Sequence, residues 1–414
     1  MKPKVALIGL FTILFAALFL SRAAPGRAGA DFAVNSSADA VDASPGDGQC
    51  ATAGGVCTLR AAIQETNALA GADTINLPSG VYTLTLTGAN EDLAATGDLD
   101  IRDDLTIVGA GAASTIVDGN NSDRVFDIRH NGNNEVSISG VTVRHGFVPS
   151  GQNGGGGISN RQSVLTLTAV VVTNNVVTGT LSGDVGGGIS PGGTGGGTLV
   201  LLDSTISHNT ARRGGGVFFN NTLVVTNTLF YSNTATAVGG GLNNYGTASL
   251  TNVTFSGNEG TLHRGGISND KVIALVNCTF VGNDGGIYVA FDSVMTLTNT
   301  ILANDLNCAG SGTLTSAGHN LESANSCGFT ATGDITATAP LLGPLADNGG
   351  PTWTHALLPT SPAIDAGDDT VCPGADQRGV PRPIDGNGDG VAACDIGAYE
   401  RKASIYLPLI LRNS

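Results

Sequence analysis

Charge is scarce in this sequence, and positive charge is the scarcer sign. Asp, Glu, Lys and Arg make up 13% of 414 residues, with 19 Lys and Arg against 34 Asp and Glu, so the formal charge is −15. No basic surface is available to neutralise phosphates, which argues against a nucleic-acid partner. The acidity is spread along the chain, so a disordered acidic tail is not indicated. Aromatic residues are 5% with one tryptophan, Trp353, poor material for an extended sugar-stacking platform. No Ser-His-Asp order, phosphate loop or HExxH occurs, and these are the patterns that would announce acyl transfer, nucleotide binding or zinc proteolysis.

What is abundant is glycine, and a short phrase repeated through residues 136–305. Phe230-x-x-Asn233, Phe255-x-x-Asn258 and Phe280-x-x-Asn283 are clear copies; Ile206-x-x-Asn209 and Val172-x-x-Asn175 are weaker ones. Alternating apolar residues precede each copy, as in Ser249-Leu250-Thr251-Asn252-Val253-Thr254-Phe255. Glycine runs ending in an apolar residue lie near each: Gly155-Gly156-Gly157-Ile158, Gly186-Gly187-Gly188-Ile189, Gly214-Gly215-Gly216-Val217, Gly239-Gly240-Gly241-Leu242 and Gly265-Gly266-Ile267. A period near about 25 residues signals a solenoid. Two or three short half-buried strands per repeat, with no helical pattern between them, make one coil of a parallel β-helix. Stacking puts Phe230, Phe255 and Phe280 in one interior column and Asn233, Asn258 and Asn283 in another, where amides bond to the coils above and below.

This phrase resembles the FxxN and GGA(I/L/V) repeats of the chlamydial-type polymorphic outer-membrane proteins. More broadly it is similar to the right-handed β-helix superfamily that includes pectate lyases. The third glycine here replaces the usual alanine in most copies. The resemblance implies an all-β, right-handed parallel β-helix and says little about activity, because one scaffold carries many functions.

Along the chain, residues 1–30 read as an export signal. Lys2 and Lys4 start it, an apolar run over 5–20 follows, and Ala28-Gly29-Ala30 is a small-residue cleavage site. The run is short for a span of about 20 residues, so cleavage before Asp31 is expected, with an earlier cut near Ala23 or Ala24 as the alternative. Residues 31–71 read as a cap. There Cys57-Thr58-Leu59-Arg60-Ala61-Ala62 resembles the CSLREA motif of bacterial secreted β-helix proteins, with Thr58 for Ser and Ala61 for Glu. Its periodicity is helical, and a helix would cover the open first coil. Arg60 and Glu65 are expected to face solvent or pair locally. The β-helix itself is expected over 72–339 in ten to twelve coils, with Gly-rich insertions near 150–157 and 183–197 as flanking loops. Residues 340–400 closely resemble the choice-of-anchor domain, type Q, of bacterial surface proteins, through Ser361-Pro362-Ala363-Ile364-Asp365-Ala366-Gly367 and Asp395-Ile396-Gly397-Ala398-Tyr399-Glu400. This implies a secreted or surface destination and a small C-terminal anchor-type domain. Residues 401–414 form an apolar tail too short to span a bilayer, read either as a docking tag or as a final edge strand.

Close spacing in an exported chain pairs Cys50 with Cys57, Cys308 with Cys327 and Cys372 with Cys394 as local disulfides. Cys278 is left as a buried thiol. Asp385-Gly386-Asn387-Gly388-Asp389-Gly390 has the spacing of a calcium loop, with Asp395 one short of the twelfth position. It reads as a structural Ca2+ site through Asp385, Asn387, Asp389 and Asp395, or as a plain Asp/Gly turn. Asp184, Arg212, Arg213, His263 and Arg264 lie beside glycine runs on one edge of the rod, where they bind an acidic sugar or simply decorate a solvated flank. No cluster of three or four acidic residues at strand spacing is apparent. His145 and His208 take equivalent turn positions, and His355 stands alone. The expectation is therefore a non-catalytic exported protein acting in adhesion or envelope interaction. Its partner would be an extracellular polysaccharide or a host or neighbouring cell surface. The alternatives are a polysaccharide lyase or glycoside hydrolase, and a passive spacer.

Overall fold

The computed structural model describes residues 29–403, apart from 90, 130–133 and 193–196. The export signal, up to residue 28, and the tail from residue 404 lie outside the described residues. The rest winds into a parallel β-helix whose strands form sheets of eleven, ten, nine and five. One coil shows the order. Thr247–Thr251 lies in the eleven-strand sheet, Thr254–Ser256 in the ten, Glu259–Gly260 in the five and Ile267–Asn269 in the nine. Val272–Val276 then returns to the eleven-strand sheet, with Val272 paired to Thr247 in register. Crossovers between parallel strands take the right-handed sense, which makes this a right-handed parallel β-helix. The middle coils carry a fourth strand beyond the two or three expected. Glu259–Gly260 and its equivalents pair over too few residues for alternation to show.

The interior is repetitive. Phe230, Phe255 and Phe280 are fully buried and stack with ring centroids 4.6 and 4.7 Å apart. Beside them Asn175, Asn209, Asn233, Asn258, Asn283 and Asn304 form an amide ladder. Each Nδ2 from Asn175 to Asn283 donates to the next Oδ1 at 2.8–3.1 Å and to a backbone carbonyl. A buried polar column is tolerated because its donors and acceptors are matched. His145 and His208 sit at the turn before this ladder with φ of 54° and 53°.

The glycine runs, including those inside the insertions expected as flanking loops near 150–157 and 183–197, connect the strands and stack coil on coil. Gly157, Gly188 and Gly216 are buried, and each donates its N–H to a glycine carbonyl of the next coil. A Cβ on Gly188 would lie 2.6 Å from Gly216 O. A Cβ at this third position would therefore force the neighbouring backbone to shift.

Two ends are closed differently. The helix Leu59–Ala68, capped by Thr58 Oγ1 accepting from Ala61 N at 3.1 Å, covers the first coils. Arg60 and Glu65 are buried, not solvent-facing. Arg60 pairs with Asp39 and donates to Gly97 O and Asp98 O, and Glu65 accepts from Gly46 N and Gly48 N. Arg60 closes the cap onto the segment that leads into Asp98, and Glu65 ties the loop at Gly46 and Gly48 to the helix. Residues Asp31–Ala33, placed in the cap by sequence, instead add a strand to the eleven-strand sheet through Thr74–Asn76. At the far end Phe329 joins the core near the Cys308–Cys327 disulfide. All three expected disulfides form, and Cys278 is the free cysteine. Disulfides persist in oxidising compartments outside the cytosol.

Residues 340–400 fold back along the flank of the rod. They contribute a two-stranded antiparallel sheet, Leu342–Ala346 with Thr354–Leu357. Hydrogen bonds join them to successive coils: Thr254 Oγ1 to Gln377, Ser256 Oγ with His355 Nε2, and Asn277 Nδ2 to Asp395 O. His355 is thus a buried seam residue and does not stand alone.

Candidate functional site

Alternation along three stacked strands builds the most unusual chemistry of the molecule. In Leu99–Ile101, Leu99 and Ile101 point into the core, so Asp100 points out. In Phe126–Arg129, Phe126 and Ile128 point in, and Asp127 and Arg129 point out. In Ile158–Arg161, Ile158 and Asn160 point in, and Ser159 and Arg161 point out. Parallel register then sets Asp127 between Asp100 and Ser159, and Arg161 against Arg129.

Asp98 joins Asp100 and Asp127. Ligand oxygens from the three lie within 4.8 Å of one another, and all three residues are buried. Among the described residues this is the one such grouping of three His, Cys, Asp or Glu side chains. Three arginines surround it. Arg124 Nε lies 2.8 Å from Asp98, Arg129 Nε 2.5 Å from Asp127, and Arg161 a further 3.2 Å from Asp127. Arg129 also reaches Asp92. A cavity of about 400 Å³ opens beside Asp98, Arg124, Arg129 and Arg161, walled also by Glu91, Asp92, Asp123 and Gln152. Asp100 and Asp127 are buried and do not line it.

The arginines do not neutralise the cluster. Burial, with the neighbouring acids, pushes Asp98 up to about 9 despite Arg124. Burial and Asp127 push Asp100 up to about 7, against the Ala94 N–H that it accepts. Burial raises Asp123 as well. Burial, with Arg129 and Arg124 close by, lowers Arg161. Asp100 Oδ1 and Asp127 Oδ1 are buried with no hydrogen-bond partner. An all-oxygen donor set with free carboxylate lone pairs suits a hard divalent cation of the calcium class, so these residues fit one.

The expectation that no acidic cluster exists is therefore wrong. The signal was present as Leu99-Asp100-Ile101-Arg102 and Phe126-Asp127-Ile128-Arg129, two copies of apolar-Asp-Ile-Arg one coil apart. It lies upstream of the Phe-x-x-Asn phrase, where no repeat marks the register.

The residues singled out from sequence are dispersed. Asp184 is buried as a loop clamp, accepting from Ser150 Oγ, Gly151 N and Leu181 N. Arg212 is half-buried on the strand Thr210–Arg213. Arg213 donates to Tyr245 Oη at 3.0 Å and to Ser182 O. His263 Nδ1 lies 3.1 Å from Asp284, and the Arg264 guanidinium stacks 3.5 Å over the Tyr288 ring. In the Asp385–Gly390 turn, Asp385 accepts from Gly388 N and Gly390 N, Asn387 from Asp389 N, and Asp389 from Val391 N. Those oxygens serve the turn itself. Asp395 is buried and instead accepts from Asp365 N and Arg401 N, while Asp365 meets the loop backbone. The four residues do not converge as a cation cage.

What the fold and site define is a class: a disulfide-bonded parallel β-helix with an acidic, arginine-walled pocket on the outward side of its first coils. No family model matches the chain, and no curated protein matches it. The crystal structure of pectate lyase Pel9A aligns with a TM-score of 0.49 at 14% identity, over 90% of this chain and 96% of that one.

Proposed function

We propose that this is an exported protein, displayed at the cell surface or released, that binds an acidic extracellular polysaccharide at the pocket beside Asp98, Asp100 and Asp127. The observation that carries this reading is the pair of buried oxygens without a hydrogen bond, Asp127 Oδ1 and Asp100 Oδ1, the latter meeting only Arg129 Nε at 3.6 Å, beside three arginines. Buried carboxylate oxygens without donors are costly unless something meets them. Asp98, Asp100 and Asp127 would hold a calcium-class cation, which when bound supplies a bridge between the protein's carboxylates and a sugar carboxylate. Arg161, which meets Asp127 through Nη2 and leaves Nε without an acceptor, presents a planar fork suited to a second carboxylate. In this reading the protein serves adhesion or envelope interaction.

A second reading, a polysaccharide lyase, is favoured by Arg161 alone. Its guanidinium is lowered in pKa and its buried Nε has no acceptor, the direction required of a group that takes a proton from a uronate. The test is calorimetric titration of polygalacturonate into the full chain with and without calcium, followed by ultraviolet absorbance. Calcium-dependent binding without new absorbance supports the binding role. Absorbance from unsaturated chain ends supports the lyase. Absence of binding to uronate polymers, with or without calcium, refutes both and leaves the rod a spacer.

A further inference from the structure

The strand Asp31–Ala33 opens the eleven-strand sheet, and the two residues before it are already built into the fold. Thr74 N donates to Ala30 O at 2.8 Å, so pairing with the first coil starts one residue ahead of the strand. Ala30 N donates to Asp73 Oδ1 at 2.7 Å, and the Ala30 side chain packs against the core. Gly29 lies so close to the coil that a Cβ there would sit 1.8 Å from Ala72 O, so another residue fits only if that backbone moves. Asp73 is 2% exposed, and its Oδ2 is buried with no hydrogen-bond partner among the described residues. Burial raises its pKa, against the Ala30 N–H that it accepts, and Asp103, of the same sign, raises it further. A buried carboxylate oxygen without a donor is costly, and a cation beside it would remove that cost.

Cleavage before Asp31 would delete Gly29 and Ala30, and with them both hydrogen bonds. The sequence offers another small-x-small site just upstream, Gly26-Arg27-Ala28. We infer that export processing cuts the Ala28–Gly29 bond, and that the ammonium released at Gly29 pairs with Asp73 and locks the first strand onto the rod. The inference rests on the reading that the chain is exported. The step is a hydrolysis catalysed by a leader peptidase of the export machinery. Water adds across the amide, Ala28 leaves with the leader as a carboxylate, and Gly29 keeps the nitrogen as an ammonium. An α-amino group has an ordinary pKa of about 7.7–8.0, so near neutral pH it is released as a cation. Gly29 precedes by one residue the amide that already reaches Asp73 Oδ1, so the new charge forms beside that carboxylate. Glycine at the first position has no side chain to hold the ammonium away. Before the cut the same nitrogen is a neutral amide. A cut after Ala23 would instead leave residues 24–28 between the ammonium and Gly29.

The test expresses the full chain in an exporting bacterial host and reads the released product by intact mass and amino-terminal sequencing. A product that begins at Gly29 is expected. One that begins at Asp31 or Ala24 would overturn the inference and leave export standing, whereas a chain that stays uncut would sink the export reading as well. Thermal unfolding then tests the pairing. Asp73→Asn is expected to lower the midpoint of the processed chain by about 2 °C. A second chain carries Ser-Gly inserted after Ala28, which keeps every described residue and moves the ammonium two residues away. In that chain Asp73→Asn is expected not to lower the midpoint. An equal drop in both chains would overturn the pairing with Asp73.

Discussion

The inside of the rod and the outside of its nine-strand sheet belong to the same coils and obey opposite rules. Inside, the Phe230–Phe255–Phe280 stack and the asparagine ladder repeat the same side chain at each step, and the ladder amides are matched coil to coil. Outside, the same register stacks Asp100, Asp127, Ser159, Ser190, Phe218, Asn243, Ser268 and Tyr288, no simple repeat, with several polar atoms left unmatched. Repetition satisfies the fold because a column of identical groups is its own partner. Departure from repetition, on a face that does not hold the coils together, is free to serve a ligand.

The sharpest way to break this comparison is to exchange the two kinds of damage. Phe255→Ala removes the middle of a fully buried ring stack and should cost about 4 kcal/mol in denaturant unfolding. Calcium and uronate affinities of the folded fraction should stay unchanged. Asp100→Asn should do the reverse, lowering calcium affinity more than about tenfold by calorimetry with far less loss of stability. If Phe255→Ala altered ligand affinity as strongly as Asp100→Asn, inside and outside would not be separable.

A smaller effect lies in the flank seam. Burial, with Glu400 nearby, pushes Asp395 up to about 7, and burial lowers His355. For Asp395 the folded form holds its proton where the unfolded form has lost it, so stability falls as pH rises from the ordinary carboxylate range to about 7. For His355 the unfolded form binds the extra proton, so stability falls as pH drops below the ordinary histidine range. Amide exchange should therefore show opposite pH slopes around Asp395 and His355. Parallel slopes would mean that the seam opens as one body governed by neither group. The smallest effect concerns Cys278, whose thiol burial pushes up to about 12. It should resist maleimide at neutral pH until the chain is unfolded, read as a mass shift.

Legibility followed the same division. The Phe-x-x-Asn phrase exposed the winding, the interior columns and the turn equivalence of His145 and His208, because each coil restates the same packing problem. The close cysteine pairs were legible because each loop is short. The acidic pocket was not, although its carboxylates stand in plain view. Asp98 and Asp100 are separated from Asp127 by most of a coil without the repeated phrase, and an unmarked register conceals which residues stack. The loop expected to bind calcium has the right spacing, but its oxygens turn to their own backbone, a choice made by local hydrogen bonding.

Sequence alone determined the coil, its period and which side chains face the core, since alternation and periodicity are local and repeated. Only the tertiary structure decided where charge gathers. The sum of burial, neighbouring carboxylates and partial arginine pairing depends on distances across coils, which no single stretch of chain contains.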